Sequence, residues 1–187
     1  QMAATFKFFA ELPVILRNFK VGGGKMVKRC EWATKSPELM IYHDTIWGRA
    51  ERDPQKLFKA LSLEIMQAGL AFQTVLRFEG GMDEVFHHFS ISYLARCGDQ
   101  EIETFCQDKR IIRNHAKVRA IVANAKALQN DPSQLAQATW APVNNVQMDH
   151  LLSGPAHAER YHVFTEKFVK AFKNLGLQRV GPITVYS

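Results

Sequence analysis

The spacing of apolar residues constrains this chain most: they recur at three- and four-residue steps along most of its length and hardly anywhere at two-residue steps. Asp53-Pro54 opens the clearest case. Aspartate accepts hydrogen bonds from the free amides at a helix start, and proline suits the first helical position because an N–H there has no intrahelical partner. Leu57, Leu61, Glu64 and Ala68 then follow at steps of four, three and four, which places them on one side of a helix. Gly69 interrupts the pattern, and Phe72, Val75 and Leu76 begin a second apolar run. The spacing predicts one helix ending near Gly69 and another starting close by.

The same periodicity continues downstream. Residues 84–106 carry two short helical patterns, one around Phe86 and Phe89 and one around Ile91, Tyr93 and Leu94. A basic turn from Lys109 to His115 leads into an amphipathic helix. Its expected buried stripe is Val118, Ile121, Val122, Ala125 and Leu128, with Lys117, Arg119 and Lys126 facing water. Asn130-Asp131-Pro132 ends it, a loop follows around Trp140, Pro142 and Asn144-Asn145, and Phe164, Phe168 and Phe172 mark a last helix that Gly176 stops. Strand signals are confined to Val180 and residues 183–186. The expected fold class is all-α. Phe8, Leu12, Leu16 and Phe19 also recur near helical spacing before three glycines, so residues 1–25 are read as an N-terminal extension (a tag remnant or a natural helix) and residues 26–187 as the main domain.

Of the 187 residues, 47% are hydrophobic and 22% charged, which suits a folded chain and excludes a disordered one. No apolar run reaches the roughly 20 residues that cross a bilayer as a helix, so no membrane partner is expected. The net charge of +6 favours polyanionic partners, because each cation near a phosphate releases condensed counterions. Three cysteines make no disulfide framework and point to a reducing cytoplasm.

Three constellations carry candidate chemistry. Glu64 lies on the apolar side of its helix, where a carboxylate either reaches water at the edge of the stripe, pairs with a cation, or serves a site. Trp32, Tyr42, Trp47 and Phe72 are either core aromatics or, with Glu64, a box for a flat cation, since aromatic faces attract positive charge by roughly 0.5–2 kcal/mol per contact. The basic turn with Arg110, Arg113, His115 and Lys117 is either a solvated charge run or a hairpin that meets a phosphodiester. Cys30 and His43 supply two donors with zinc-ligand chemistry, half of a tetrahedral set.

Taken in order, Arg29-Cys30-Glu31-Trp32, Tyr42-His43-Asp44, Trp47-Gly48, Leu63-Glu64, Gln67-Ala68-Gly69-Leu70, Thr74-Val75-Leu76, Ile111-Ile112-Arg113 with Lys117, and the closing run from Gly181 to Ser187 closely resemble the 3-methyladenine DNA glycosylase I family. The match is nearly collinear from Arg29 to Ser187. The resemblance implies a helix-hairpin-helix glycosylase fold, two helical lobes with the base pocket between them. It implies base-excision repair by a monomer on double-stranded DNA: hydrolysis of the N-glycosidic bond of 3-methyladenine, without strand cleavage. Two alternatives stay open, a non-catalytic helical DNA-binding module and a glycosylase of the same fold for another alkylated purine.

The resemblance also assigns residues. Glu64 recognises the alkylated base with help from Tyr42, Trp32 and Trp47 line the pocket, and Ser187 matches a pocket serine. Phe72 stands where the family often has a stacking Trp, and Gly69-Leu70 looks like the plug that fills the space of the flipped nucleotide. Arg110, Arg113, His115 and Lys117 fall to the DNA-binding hairpin, in which many members carry glycine where this chain has Arg110. A structural zinc ion is the implied cofactor, with Cys30 and His43 as two ligands. The family's other two lie beyond its tyrosine-serine, where this sequence stops, so only a half-site is expected. Residues 1–25 have no counterpart in the family pattern.

Overall fold

The computed structural model describes residues 29–147 and 161–186, of which 161–164 only in their backbone. They fall into two compact units, divided between Ile46 and Trp47. The expected helix and domain boundary in residues 1–25 lie outside the described residues. Among those described there is no strand, and no helix is long and apolar enough to cross a membrane.

In the first unit a 3₁₀ turn (Glu31–Lys35) leads into helix α1 (Pro37–Thr45), and the two pack together. Ser36 Oγ accepts from the Leu39 amide at 3.3 Å and Pro37 takes the first helical position, the chemistry of a helix start. Leu39 is the one residue that α1 buries, so apolar periodicity passes over this helix. The start signal Ser36-Pro37 was there to be read.

The second unit opens with α2 (Pro54–Gln67), capped by the Asp53 carboxylate on the Lys56 amide at 2.9 Å. Gly69, at φ +80°, turns the chain into α3 (Phe72–Val85). Then come α4 (Ile91–Leu94), α5 (Asp99–Gln107), α6 (His115–Leu128), α7 (Ser133–Trp140), α8 (Tyr161–Asn174) and α9 (Pro182–Tyr186). Helix α2 is central: α3, α6, α7 and α9 all pack against it. The core runs through Phe58, Ile65, Met66, Met82, Phe86, Phe89, Ile121 and Leu128, all within 1% of full burial. The predicted α6 stripe is buried along its whole length.

Four local expectations are corrected. Residues 183–186 belong to a short helix, not a strand, because Pro182 starts a turn that α8 and α2 cover. Helix α7 occupies part of what reads as loop; its start is marked by Asp131, which accepts from the Ser133 amide, and it buries Leu135 and Trp140. The buried face of α2 is Phe58, Leu61, Ser62, Ile65 and Met66, so Leu57 and Glu64 lie on its half-buried flank. Lys117 faces inward rather than water, with 6% exposure.

A carboxylate–lysine cluster ties α2 to α3. Lys59 Nζ lies 2.9 Å from Asp83 and 3.1 Å from Glu79, and His88 also meets Asp83. Burial pushes Lys59 down and Asp83 up, but the facing charges outweigh it and leave Lys59 raised and Asp83 lowered. A lowered carboxylate stabilises above its ordinary range and loses that stability as pH falls through its folded value. A raised lysine stabilises below its ordinary range and loses it as pH rises through its own. Asp83→Asn should therefore destabilise by about 1–2 kcal/mol at neutral pH, between exposed pairs and buried charge-assisted bonds. The deficit should shrink below about pH 4, where the unfolded aspartate also takes up its proton. Urea melts from pH 3 to 7 check it; a deficit constant across that range would contradict the cluster's role.

Candidate functional site

In the first unit the Trp32 ring stands 5.3 Å from the His43 ring, edge to face, and 6.5 Å from that of Tyr42. All three are half-buried where the turn packs against α1, which places Trp32 and Tyr42, two of the four aromatics expected on the base side, beside each other and beside the candidate zinc ligand His43. Arg29 forks onto Asp44 with contacts of 2.7–3.0 Å, and Asp44 also meets His43 Nδ1 at 3.0 Å. Hydrogen bonding from Arg29, and then from His43, holds the Asp44 carboxyl below the usual range.

The two candidate metal residues are neighbours within this unit through the backbone: the Cys30 amide donates to His43 Nε2 at 3.5 Å. The Asp44 bond on the other ring nitrogen is the arrangement that orients ligating histidines elsewhere. Two donors fall short of the four of a structural zinc site, and no cluster of three His, Cys, Asp or Glu side chains suited to a metal occurs among the described residues. The described residues do not fit a closed zinc site.

In the second unit Glu64 sits in the last turn of α2, flanked in sequence by the buried Leu63 and Ile65. Its backbone carbonyl accepts from the Ala68 amide at 3.3 Å, the last such bond before the chain leaves the helix. Gly69 takes its left-handed φ with no atom within 4 Å of where a Cβ would point, so backbone conformation rather than crowding selects glycine here. Leu70 is held by its amide on the Gln67 carbonyl at 2.6 Å and is 40% exposed. Phe72 opens α3 half-buried against the core, and Trp47 is exposed at the start of the unit. One helix–turn–helix thus brings Glu64, Gly69, Leu70 and Phe72 together. Ser187 lies outside the described residues; Tyr186 precedes it on α9, which packs on α2.

The basic segment forms a hairpin between α5 and α6, closed by the Asn114 side chain on the Lys117 amide at 3.1 Å. Arg113 and His115 are exposed, His115 beside Glu103 at 3.4 Å. Arg110 avoids the positive φ that its position invites, so no backbone strain arises from the missing glycine. The adjustment lies across the packing: a Cβ on Gly81 of α3 would fall 2.8 Å from Arg110 Cβ and closer still to the Arg110 carbonyl oxygen. Arg110 itself is bound by Asp108 at 2.7 Å and Glu84 at 2.9 Å, which lowers the Asp108 carboxyl and divides the charge expected to serve DNA.

Lys117 requires the sharpest correction. Its Nζ donates to the Met66 carbonyl at 2.8 Å and the Ala68 carbonyl at 2.7 Å, turned away from any backbone a hairpin would meet. Two further positioning residues escaped the sequence reading. Asn124, 1% exposed, donates to the Gln178 carbonyl and accepts from the Gln178 amide, tying the segment before α9 to α6. Arg52 stacks 4.1 Å over Trp140 and donates to the Asn145 carbonyl, holding the loop after α7. A polar residue on the apolar stripe of α6 was the available signal for Asn124. The thiols of Cys97 and Cys106 are buried and pushed up by that burial, which leaves them as core residues.

The family model described as methyladenine glycosylase matches residues 32–187. The chain is 33% identical over 169 residues to the DNA-3-methyladenine glycosylase of Haemophilus influenzae, covering 87% of this chain and 89% of that one. It is 30% identical over 164 residues to DNA-3-methyladenine glycosylase 1 of Escherichia coli, covering 86% and 88%. A crystal structure of 3-methyladenine DNA glycosylase I superposes with a TM-score of 0.79 at 31% identity, over 85% of this chain and 89% of that one. The resemblance and the all-α expectation are borne out.

Proposed function

We propose that this chain, which belongs to the methyladenine glycosylase family, excises 3-methyladenine from alkylated double-stranded DNA as a monomer, in the cytoplasm. The observation that carries this reading is the family match across residues 32–187, which takes in the Glu64 helix, the Gly69–Leu70 turn and the hairpin in one collinear stretch.

The damaged nucleotide leaves the stack at a cost of a few kcal/mol, least where pairing is already weakened. Leu70 fills the gap, and Arg113 and His115 on the hairpin meet the backbone. Methylation at N3 makes the adenine cationic, so the C1′–N9 bond breaks with its electron pair going to the base, which departs neutral. Water bonds to C1′ and its proton passes to solvent, leaving an abasic site in an intact strand. Glu64 supplies selectivity by pairing with the cation, which neutral adenine does not offer, and the family resemblance gives Tyr42, Trp32, Trp47, Phe72 and Ser187 to base recognition as well. Lys117, occupied by two carbonyls, is not offered as a Schiff-base nucleophile.

Incubation with methylated duplex DNA should release 3-methyladenine above the uncatalysed rate while the strand stays uncut. Release of another alkylated purine alone would reassign the substrate, and tight DNA binding without release would reduce the chain to a binding module.

A further inference from the structure

Lys117 is the described cation that departs furthest from what its surroundings in sequence suggest. It sits among Arg113, His115 and Arg119, all exposed, and is itself 6% exposed. Its backbone is fixed by the Asn114 cap at the start of α6. Its side chain crosses to the far end of α2, where Nζ bonds the Met66 and Ala68 carbonyls. Both belong to the carbonyls that the end of a helix leaves without intrahelical partners. An ammonium placed there also faces the negative end of the α2 dipole.

Both carbonyls lie immediately before the Gly69–Leu70 turn. Ala68 has left the helix at ψ 112°, Gly69 is left-handed, and the Leu70 amide is bonded back to Gln67. The residues that set the height of Leu70 are thus bounded on one side by the Glu64 turn of α2 and on another by the Lys117 ammonium. No carboxylate takes part in the Lys117 bonds, so neutralising an acid does not explain a buried lysine here. Holding this turn does.

We infer that Lys117 is a positioning residue: it couples the hairpin to the Gly69–Leu70 turn and holds Leu70 at the depth that keeps a target nucleotide extruded. The inference rests on the proposed roles of Leu70 and Glu64. It assigns Lys117 to the extrusion step and removes it from the phosphate contacts.

Lys117→Met keeps the apolar stem and deletes the ammonium. Single-turnover release of 3-methyladenine from duplex DNA should slow by about 10- to 100-fold, the range for a catalytic geometry displaced by an ångström or so. The slope of log affinity against log salt should match that of the parent protein, whereas loss of a phosphate contact would reduce it by about one. In a Leu70→Ala background the same substitution should slow release by less than about threefold, because the two act through one element. Lys117→Arg keeps the charge with a bulkier head, and should show a milder loss with the same dependence on Leu70; it carries the test if the methionine variant does not fold. A duplex carrying 2-aminopurine at the target position supplies a readout without chemistry: the fluorescence rise on extrusion should be smaller in both variants. A shallower salt slope, or an equal slowing with and without Leu70, would overturn the inference. A parent protein that unstacks 2-aminopurine but releases no 3-methyladenine sinks the proposed activity alone, and the fluorescence comparison then decides the role of Lys117.

Discussion

Glu64→Gln should weaken binding of free 3-methyladenine by roughly 10- to 100-fold while leaving the fold intact. Hydrogen bonds to a charged group contribute about 1.5–3 kcal/mol, and glutamine keeps the volume and one acceptor but removes the carboxylate charge that strengthens the bonds accepted from the free, neutral base. Glu64 lies on the half-buried flank of α2 rather than among its buried residues, so the melting temperature should change little. A fluorescence or NMR titration with the free base, run beside a thermal melt, separates the two effects. An unchanged affinity would remove Glu64 from the pocket. A lost affinity with a lowered melting temperature would make the carboxylate a structural partner instead.

The second large effect is expected at Gly81, far from the base in sequence. The Arg110 carbonyl carbon would lie 2.9 Å from an alanine Cβ at this position and the Arg110 oxygen closer, so backbone must move. Overpacking of this kind costs about 1–3 kcal/mol, and more where backbone rather than a flexible side chain is displaced. A loss of about 3 kcal/mol in a chain of this size lowers the melting temperature by roughly 6–12 °C. The shift falls on the α5–α6 hairpin, while the Glu64 helix meets α3 through other residues. Gly81→Ala should therefore impair release of base from duplex DNA more than binding of the free base. Equal losses in both would mean that the strain spreads into α2. Because Arg110 backbone atoms make the clash, Arg110→Gly should not rescue it.

Much of this was legible in the chain. Asp53-Pro54, Gly69 and Gly176 bound their helices through local rules, namely a capping carboxylate, a missing amide hydrogen and a left-handed φ. The stripe from Val118 to Leu128 declares its buried face because five apolar residues at helical spacing leave no other solution. The ordered blocks from Arg29 onward pointed to the family, since several blocks in one order at compatible spacing are far more specific than any one of them. What was not legible has one physical character. The α2 face was misjudged by part of a turn because Phe58 and Ile65, not Leu57 and Glu64, meet the helices that pack there. Helix α1 buries too little to leave a period.

Local chemistry in the sequence determined where several helices begin and end and that the fold class would be all-α. Only the tertiary structure decided where the long polar side chains point. Lys117 looks like one more cation of a basic turn, and four flexible methylenes allow its ammonium to reach solvent, a phosphate or a buried carbonyl. Which of these it takes depends on the end of α2, some fifty residues earlier, arriving with two unsatisfied carbonyls beside it. Arg110 and Gly81 make the same point for volume: whether a residue fits a hairpin depends on the atom that another helix omits.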